Sequence, residues 1–394
     1  MKNFLKIFFL ISIFAVFLIG CGVKNADNII DGLEEKIEKS DSYYVEGTME
    51  IINNEDTYTY DVTVSYKKGD YYKIDLINTL NNHEQVILRN DDGVYVVTPS
   101  LNKSFKFQSD WPYNNSQVYL ISSIVEDLTE DEDRTFTAKN DSYYFQSSVN
   151  YPNNKSLTKQ NVYVDKNMKI TKVEVTNDDG KVQITMNFNK IQYNKKFDKN
   201  YFELSELINI NDSKTDTKNE NSTQNNSNNT NPDDTEKDDN NINTNENNNT
   251  NTNENTNSNN NSSNSESTNS NEDTTKTKET ATIDDVIYPM YLPSNTTLAN
   301  KEVIDTEDGQ RLILTFEGDN PFVLIEETIS YQEEGQIIPV SGSLDFLSDV
   351  IGVINDNSVN WESNGIEYYI VSNTLDTSEL VSIARSISVL PVSK

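Results

Sequence analysis

Residues 58–66, Tyr-Thr-Tyr-Asp-Val-Thr-Val-Ser-Tyr, alternate between a large apolar or aromatic side chain and a smaller polar one. A period of two places the large side chains on one face of a β-strand. The same alternation continues over residues 72–76. Two Asn-Asp-Asp-Gly segments, at 90–93 and 177–180, each stand between two such stretches and are typical of hairpin turns. The pattern predicts an antiparallel sheet with one buried face.

Helical spacing appears before and between these strands. Apolar residues recur three and four apart early in the chain, and again over residues 116–128, where Ser116 is the expected N-cap. The fold class predicted from this order is α+β, with an antiparallel half-barrel sheet covered by helices. The apolar positions of the first helix are Ile29, Ile30, Leu33 and Ile37.

The composition changes abruptly at residues 211–282, where 25 of 72 residues are Asn and the net charge is −9. Such a segment buries too little apolar surface to offset its ordering entropy, so we expect a disordered linker. It separates a predicted half-barrel domain, residues 21–210, from a predicted small α+β domain, residues 283–394, whose closing helix would be capped by Asp376 or Thr377. The linker is expected to let the second domain reach away from the first.

The first residues are typical of an exported lipoprotein. Residues 1–20 combine Lys2 and Lys6 with an apolar run over 7–19, and Cys21 follows as the only cysteine. A run of thirteen residues, apolar except for Ser12, is short of the roughly 20 that span a bilayer, which argues against an uncleaved anchor. The arrangement resembles the lipobox of bacterial lipoproteins and implies diacylglyceryl lipidation of Cys21. Two acyl chains, such as palmitate, would hold the protein on the extracytoplasmic face of the cell membrane.

The titratable residues argue against most catalytic and polyanion-binding functions. With 32 basic and 64 acidic residues, the chain repels nucleic acid. One cysteine and one histidine, His83 in an expected exposed turn, leave little for nucleophilic catalysis or a metal site. A carboxylate-only mechanism stays formally open, but no spacing selects a pair. We therefore expect no enzyme activity, no cofactor and no metal.

One aromatic stretch is the candidate partner-binding site. Phe105 and Phe107 share a strand face with Lys103, and a loop-like aromatic group with polar neighbours follows. The alternative is that Trp111 fills the core at the end of the sheet. The candidate residues are Lys103, Phe105, Phe107, Trp111, Pro112 and Tyr113.

Over roughly residues 25–207, the starting helix, the Ser-Asp-Ser-Tyr-Tyr at 40–44, the long meander and the second helix resemble the lipoprotein carrier (LolA-type) fold. In that fold a half-barrel encloses an apolar cavity. Residues 98–112, Thr-Pro-Ser-Leu-Asn-Lys-Ser-Phe-Lys-Phe-Gln-Ser-Asp-Trp-Pro, more specifically resemble the germination lipoproteins of spore-forming clostridia. The resemblance implies a non-enzymatic lipoprotein that binds an envelope protein; in those relatives the partner is a cortex-processing amidase.

The C-terminal residues carry a second resemblance. Tyr-Leu-Pro at 291–293, Trp361 before Asn-Gly-Ile-Glu-Tyr, and the final helix are similar to an uncharacterised extracytoplasmic domain. That domain occurs on bacterial lipoproteins and on anti-sigma-factor proteins. Two further hypotheses therefore stay open beside partner binding: a carrier that holds a lipid or acyl chain in the half-barrel cavity, and an envelope-stress regulator of an anti-sigma factor.

Overall fold

The computed structural model describes residues 25–53, 56–111, 115–210, 281–283, 285–307, 309–347 and 349–387. The expected signal peptide, Cys21 and nearly all of the expected linker lie outside these residues. The described part contains three α-helices, nineteen strands and two short 3-10 turns, Pro99–Leu101 and Leu204–Glu206.

The first half of the chain forms one long meander with two helices. Its elements are α1 Ala26–Glu38, β1 Ser42–Asn53, β2 Asp56–Lys67, β3 Tyr71–Asn78, β4 Glu84–Asn90, β5 Gly93–Thr98, β6 Lys103–Phe107, α2 Ile121–Glu130, β7 Thr135–Lys139, β8 Ser142–Ser148, β9 Leu157–Val164, β10 Ile170–Asn177 and β11 Val182–Tyr193.

The second half adds eight strands and one helix. These are β12 Thr296–Asp305, β13 Gln310–Gly318, β14 Phe322–Thr328, β15 Gln336–Val340, β16 Ser343–Phe346, β17 Ile351–Ile354, β18 Ser358–Ser363, β19 Ile366–Val371 and α3 Thr377–Arg385.

The strands form two sheets, and the predicted α+β class with a half-barrel is confirmed. The larger sheet has the order β15-β6-β5-β4-β3-β2-β1-β11-β10-β9-β8-β7, and the smaller β12-β13-β14-β19-β18-β17-β16. The alternation in β2 buries Tyr58, Tyr60, Val62 and Val64 on one face. Both Asn-Asp-Asp-Gly segments form the expected hairpins, β4–β5 and β10–β11.

The helices cover the concave face of the half-barrel. α1 buries Ile29, Ile30 and Leu33 there, and its N-cap is Asn25, whose Oδ1 accepts a hydrogen bond from the Asn28 amide at 2.9 Å. α2 joins the same core and begins at Ile121 with no side-chain cap.

The expected cap at Ser116 is wrong. Its hydroxyl donates to Asp127 Oδ1 at 3.0 Å and accepts from the Asn150 amide at 2.8 Å. The residue thus joins the loop before α2 to the helix and to the segment after β8. In α3 the expected cap at Asp376 is confirmed, because its side chain accepts from the Glu379 amide at 2.9 Å.

The C-terminal half completes the first sheet and its core. Strand β15 pairs in parallel with β6 at the edge of the half-barrel. Ile351 and Val353 of β17 belong to the half-barrel core, and Phe346 packs against it. The expectation that the second domain reaches away from the first is therefore wrong for the described residues, although its sheet is separate. The exact domain boundaries stay a prediction.

A second core lies between the smaller sheet and α3. Leu380, Ile383 and Ala384 of the helix are buried against apolar residues of β13, β14, β18 and β19. Trp361 stacks on Tyr368 within this core, with ring centroids 5.0 Å apart. The segment after β11 covers the other face of β4 and β5, which explains why those strands are buried on both sides.

Gly342 connects β15 of one sheet to β16 of the other and accepts no side chain. Its φ is +103°, and a Cβ there would lie 2.1 Å from the carbonyl oxygen of Ile354. Gly180, in the β10–β11 hairpin, has φ +74° but no atom within 4 Å of the corresponding position. Both glycines therefore have positive φ, but they differ in crowding.

Gly342→Ala is expected to lower the free energy of unfolding by more than the about 1–3 kcal/mol that positive φ alone costs a non-glycine residue. Gly180→Ala, which adds only that strain, is the control. Urea unfolding followed by circular dichroism measures both. Equal losses would show that the Gly342 connection does not hold the two sheets together.

Candidate functional site

The candidate partner-binding stretch lies at the edge of the half-barrel, where the chain's own C-terminal half covers it. Lys103, Phe105 and Phe107 are 5%, 7% and 5% exposed, and Trp111 is 4% exposed. Pro112 and Tyr113 lie outside the described residues. A role of these six residues in partner binding stays a prediction, but four of them already contact other parts of the same molecule.

Strand β15 covers β6 along its whole length. Gln336 lies opposite Lys103 and Val340 opposite Phe107, in a parallel register. Beyond the strand, the Gln108 amide donates to the Val340 carbonyl at 2.9 Å, and the Ser109 hydroxyl to the Gly342 carbonyl at 2.8 Å. The backbone groups at this edge of β6 are thus satisfied within the chain.

Asn102 fixes the start of this pairing. It has φ +54°, a left-handed conformation that asparagine tolerates better than most residues. Its side-chain nitrogen, Nδ2, donates to the carbonyls of Gln332 at 2.8 Å and Glu333 at 3.2 Å. Its side-chain oxygen accepts from the Asn209 amide at 2.7 Å, and its backbone carbonyl accepts from the Gln336 amide at 2.9 Å. One side chain therefore brings together three distant segments.

A buried ionic cluster lies beside this strand pair. The Lys103 ammonium is 2.5 Å from Glu362 Oε1 and 3.0 Å from Glu367 Oε2, with Glu362 only 2% exposed. Burial alone would lower the pKa of Lys103, but the two carboxylates raise it above its usual value, so the lysine stays charged. Burial raises the pKa of Glu362, and Lys103 opposes that rise. The cluster joins β6 to β18 and β19.

A further buried polar bridge joins β4 to β17. Gln85 donates from Nε2 to the Ile351 carbonyl at 3.2 Å and accepts from the Ile351 amide at 2.6 Å. The buried side-chain amide of Gln85 thus satisfies the backbone N–H and C=O of Ile351, as a neighbouring strand would. The bridge holds β17 on the half-barrel core.

Trp111 is part of the core at the end of the sheet. This is the second of the two positions that the sequence suggested for it. Its ring stacks on Tyr72 with centroids 5.1 Å apart and planes at 8°. Tyr72 in turn contacts Tyr66, and Tyr66 stacks on Tyr43 at 4.7 Å. The aromatic row fills the interior near the half-barrel edge.

An open cleft of about 540 Å³ lies between the half-barrel rim and α3. Ile51 and Ile184 line one side, and Phe346 and Arg385 line the other. Arg385 pairs with Asp345 at 3.3 Å and donates to the Phe346 carbonyl at 2.9 Å. Burial lowers the pKa of Arg385 and raises that of Asp345, while each partner opposes the shift of the other. The cleft has the size of a ligand site, but the charge of the Arg385 guanidinium is already balanced by Asp345.

The half-barrel interior leaves far less room. The apolar space between β1, β11 and the loop before α2 is about 50 Å³, and Phe346 and Tyr151 separate it from the open cleft. Ligand pockets usually measure about 300–1,000 Å³. Side chains of the C-terminal half, such as Leu344 and Phe346, take up the space that a carrier would leave for an acyl chain.

His83 lies in a turn, as expected, but it is half-buried, so the expectation that it is exposed is wrong. It follows β3 in a turn where its amide donates to Asn81 Oδ1 at 2.9 Å, and burial lowers the pKa of its imidazole. Among the described residues no three His, Cys, Asp or Glu side chains are grouped so that they could hold a metal ion.

The partners of the β6 stretch, β15, Glu362 and Glu367, were not predicted from the sequence, and neither was the Asp345–Arg385 pair of the cleft. One signal was available. Lys103 stands in a strand with alternate aromatic residues, and a buried ammonium requires carboxylate partners. Residues 283–394 carry 19 acidic and 4 basic residues and could supply them.

Lys103→Met is expected to destabilise the protein by about 3–5 kcal/mol, because it leaves Glu362 buried beside Glu367 without a counter-charge. The double variant Lys103→Met, Glu362→Gln removes both charges of the close pair and should recover most of that loss. Lys106→Met on the same strand is the control. Its ammonium lies 5.3 Å from the Tyr95 ring centroid, so about 1 kcal/mol or less is expected. Chemical unfolding of the four proteins measures these differences; equal effects of the two single variants would contradict the role of the cluster.

The chain is similar to known proteins over its whole length. The family model of YdcC-like sporulation proteins matches residues 1–202. The chain is 32% identical over 390 residues to the sporulation protein YdcC of Bacillus subtilis (strain 168). The matched region covers 98% of each of the two chains.

Two solved structures show lower similarity. A chain of the Pseudomonas aeruginosa MucA/MucB complex matches with 10% identity and a TM-score of 0.31, over 92% of this chain and 98% of that one. A chain of the Clostridioides difficile CwlD amidase complex with the GerS lipoprotein matches with 15% identity and a TM-score of 0.21, over 44% of this chain and 99% of that one. Because the family model covers just over half of the chain and the Bacillus subtilis relative nearly all of it, the chain belongs to the YdcC-like sporulation protein family.

Proposed function

We propose that this protein is a membrane-anchored extracytoplasmic lipoprotein of sporulation that binds an envelope protein and catalyses no reaction. The observation that carries the proposal is the distribution of exposed apolar side chains. Of eleven large ones on the described residues, seven lie within residues 288–304. Such a concentration marks an interaction surface more often than scattered single residues do. The seven are Tyr288, Met290, Tyr291, Leu292, Leu298, Val303 and Ile304.

The internal polar contacts support a binding role over a catalytic one. Several buried charges and amides of the described residues join one segment of the chain to another, as Lys103 and Gln85 do. Chemistry based on a thiolate or an imidazole would have only Cys21 and His83 to use. The proposal therefore assigns the two sheets to recognition.

The proposed location of the protein follows from residues 1–20 and Cys21. Lipidation of this cysteine would keep the protein on the outer face of the membrane, with two acyl chains as the stable anchor. Within the described ranges, none of the three helices is both long enough and apolar enough to cross a bilayer.

The proposed partner is a peptidoglycan-processing amidase, which the resemblance of residues 98–112 to clostridial germination lipoproteins suggests. Because β15 already covers β6, we propose that this partner binds elsewhere, on the exposed 288–304 segment. The position of the candidate surface thus moves from the half-barrel to the C-terminal sheet.

Affinity purification tests the proposal. The Cys21→Ser chain, tagged and expressed in sporulating cells, is expected to recover a specific envelope protein whose purified form binds it directly. The Met290→Asp variant should weaken that binding by about tenfold or more, since Met290 is 83% exposed at the proposed surface. Leu80→Asp, at an apolar side chain 61% exposed in the β3–β4 turn, is the matched control.

Recovery of no envelope protein under native conditions would contradict the proposed function. Recovery of an anti-sigma factor in place of an amidase would support the regulatory alternative.

The carrier alternative predicts a bound lipid. An interior space of about 50 Å³ holds no acyl chain, so native mass spectrometry of the purified chain should give the mass of the polypeptide alone. Phe346→Ala, which joins this space to the open cleft, is the comparison variant. Co-purification of lipid with the wild-type chain would favour the carrier alternative over our proposal.

A further inference from the structure

The four sheet edges of the described residues differ in how they are protected. Edge strands carry unpaired backbone groups, and proteins usually protect them with short strands, proline, bulges or charged side chains, especially lysine. The edge strands β7, β15 and β16 have five, five and four residues, and β15 contains Pro339. Strand β12 has ten residues with neither proline nor glycine, and Lys301 is its one lysine. Its one irregularity is the register shift between Leu298 and Asn300.

Strand β12 is also the most exposed strand of the described chain. Only Thr296 is buried, and every residue from 297 to 305 is exposed. Leu298, Val303 and Ile304 are 41%, 54% and 38% exposed. Within the described residues the strand pairs with β13 alone, so its other side is free to accept a further strand.

The charge around β12 selects the kind of segment that would pair with it. Residues 283–394 carry a net charge of −15, and two of their four basic residues, Arg311 and Arg385, already pair with Glu327 and Asp345. The chain's own segment 211–282 carries −9, and a second copy of the whole chain carries −32. Both are repelled electrostatically, whereas a basic segment is attracted.

We propose that the β12 edge accepts an extended, basic segment of the partner protein, which adds a strand to the smaller sheet. Backbone hydrogen bonds along β12 supply affinity, as in other cases of strand addition. Apolar side chains on one face of the segment pack beside Leu298 and Val303, which lie opposite Phe316 and Leu312 on the same face of the sheet, and its basic side chains face the acidic module. This inference rests on the proposed function and specifies which part of the partner is bound at β12.

A peptide probe tests the assignment. A fluorescent peptide of about a dozen alternating Lys and Val residues is titrated into the full mature chain carrying Cys21→Ser. Binding is expected at about 0.01 M ionic strength and should weaken severalfold at about 0.15 M. A peptide of alternating Glu and Val should bind at least about tenfold more weakly, because its charge is reversed. Hydrogen exchange with the Lys-Val peptide bound should show protection at 297–305.

Variants locate the site. Val303→Lys with Ile304→Lys places charges on the edge in the manner of natural edge strands and should weaken binding by about tenfold or more. Leu80→Lys, the control, should leave binding within about twofold. Equal binding by the double-lysine variant, or protection outside β12, would overturn the assignment.

The two other occupants have distinct results. A wild-type dimer that the double-lysine variant dissociates in analytical ultracentrifugation would identify a second copy at the edge and overturn the proposal. Strong protection of 297–305 without peptide, lost on deletion of residues 211–280, would identify the chain's own segment and do the same. If the envelope partner is recovered equally well by the double-lysine variant, the proposed function stands and only the β12 assignment fails.

Discussion

The ionic cluster of Lys103 with Glu362 and Glu367 is the constraint around which the two halves of the molecule are arranged. An ammonium buried this deeply is tolerated only beside carboxylates, and both carboxylates come from the smaller sheet. The cluster requires β18 and β19 to lie against the end of β6. That position places the preceding segment, β15 to β17, across the open side of the half-barrel, where it pairs with β6 and fills the core.

This arrangement changes what the half-barrel does. In the carrier-like fold expected from the sequence, the concave face encloses a cavity. Here Leu344, Phe346, Ile351 and Val353 pack into that face, and the edge beside Phe105 and Phe107 has its strand partner from the same chain. The most distinctive stretch of the sequence therefore takes part in the internal assembly of the protein, through its pairing with β15 and its contacts with the smaller sheet.

The parts of the fold that depend on local pattern were predictable from the sequence. The alternation at 58–66, the two Asn-Asp-Asp-Gly hairpins and the cap at Asp376 all formed as expected, because each is determined by neighbouring residues. The contact between the two halves was not predictable. It joins Lys103 to residues some 260 positions later across an Asn-rich segment, and composition suggested separation. Burial of Lys103 depends on that contact, whereas Trp111 is buried against Tyr72 of the half-barrel itself, in the core position that one of its two interpretations expected.

The same contact explains only a few of the acidic residues in the second half. Two of them, Glu362 and Glu367, neutralise the buried lysine, and Asp345 neutralises Arg385. Many others, such as Glu302 and Asp305 on β12, are exposed and unnecessary for assembly. Assembly therefore accounts for only a few of the 19 carboxylates of residues 283–394. A long, exposed edge strand in an acidic part of the chain has the properties of a recognition surface, since it combines open backbone groups with a long-range attraction for basic partners.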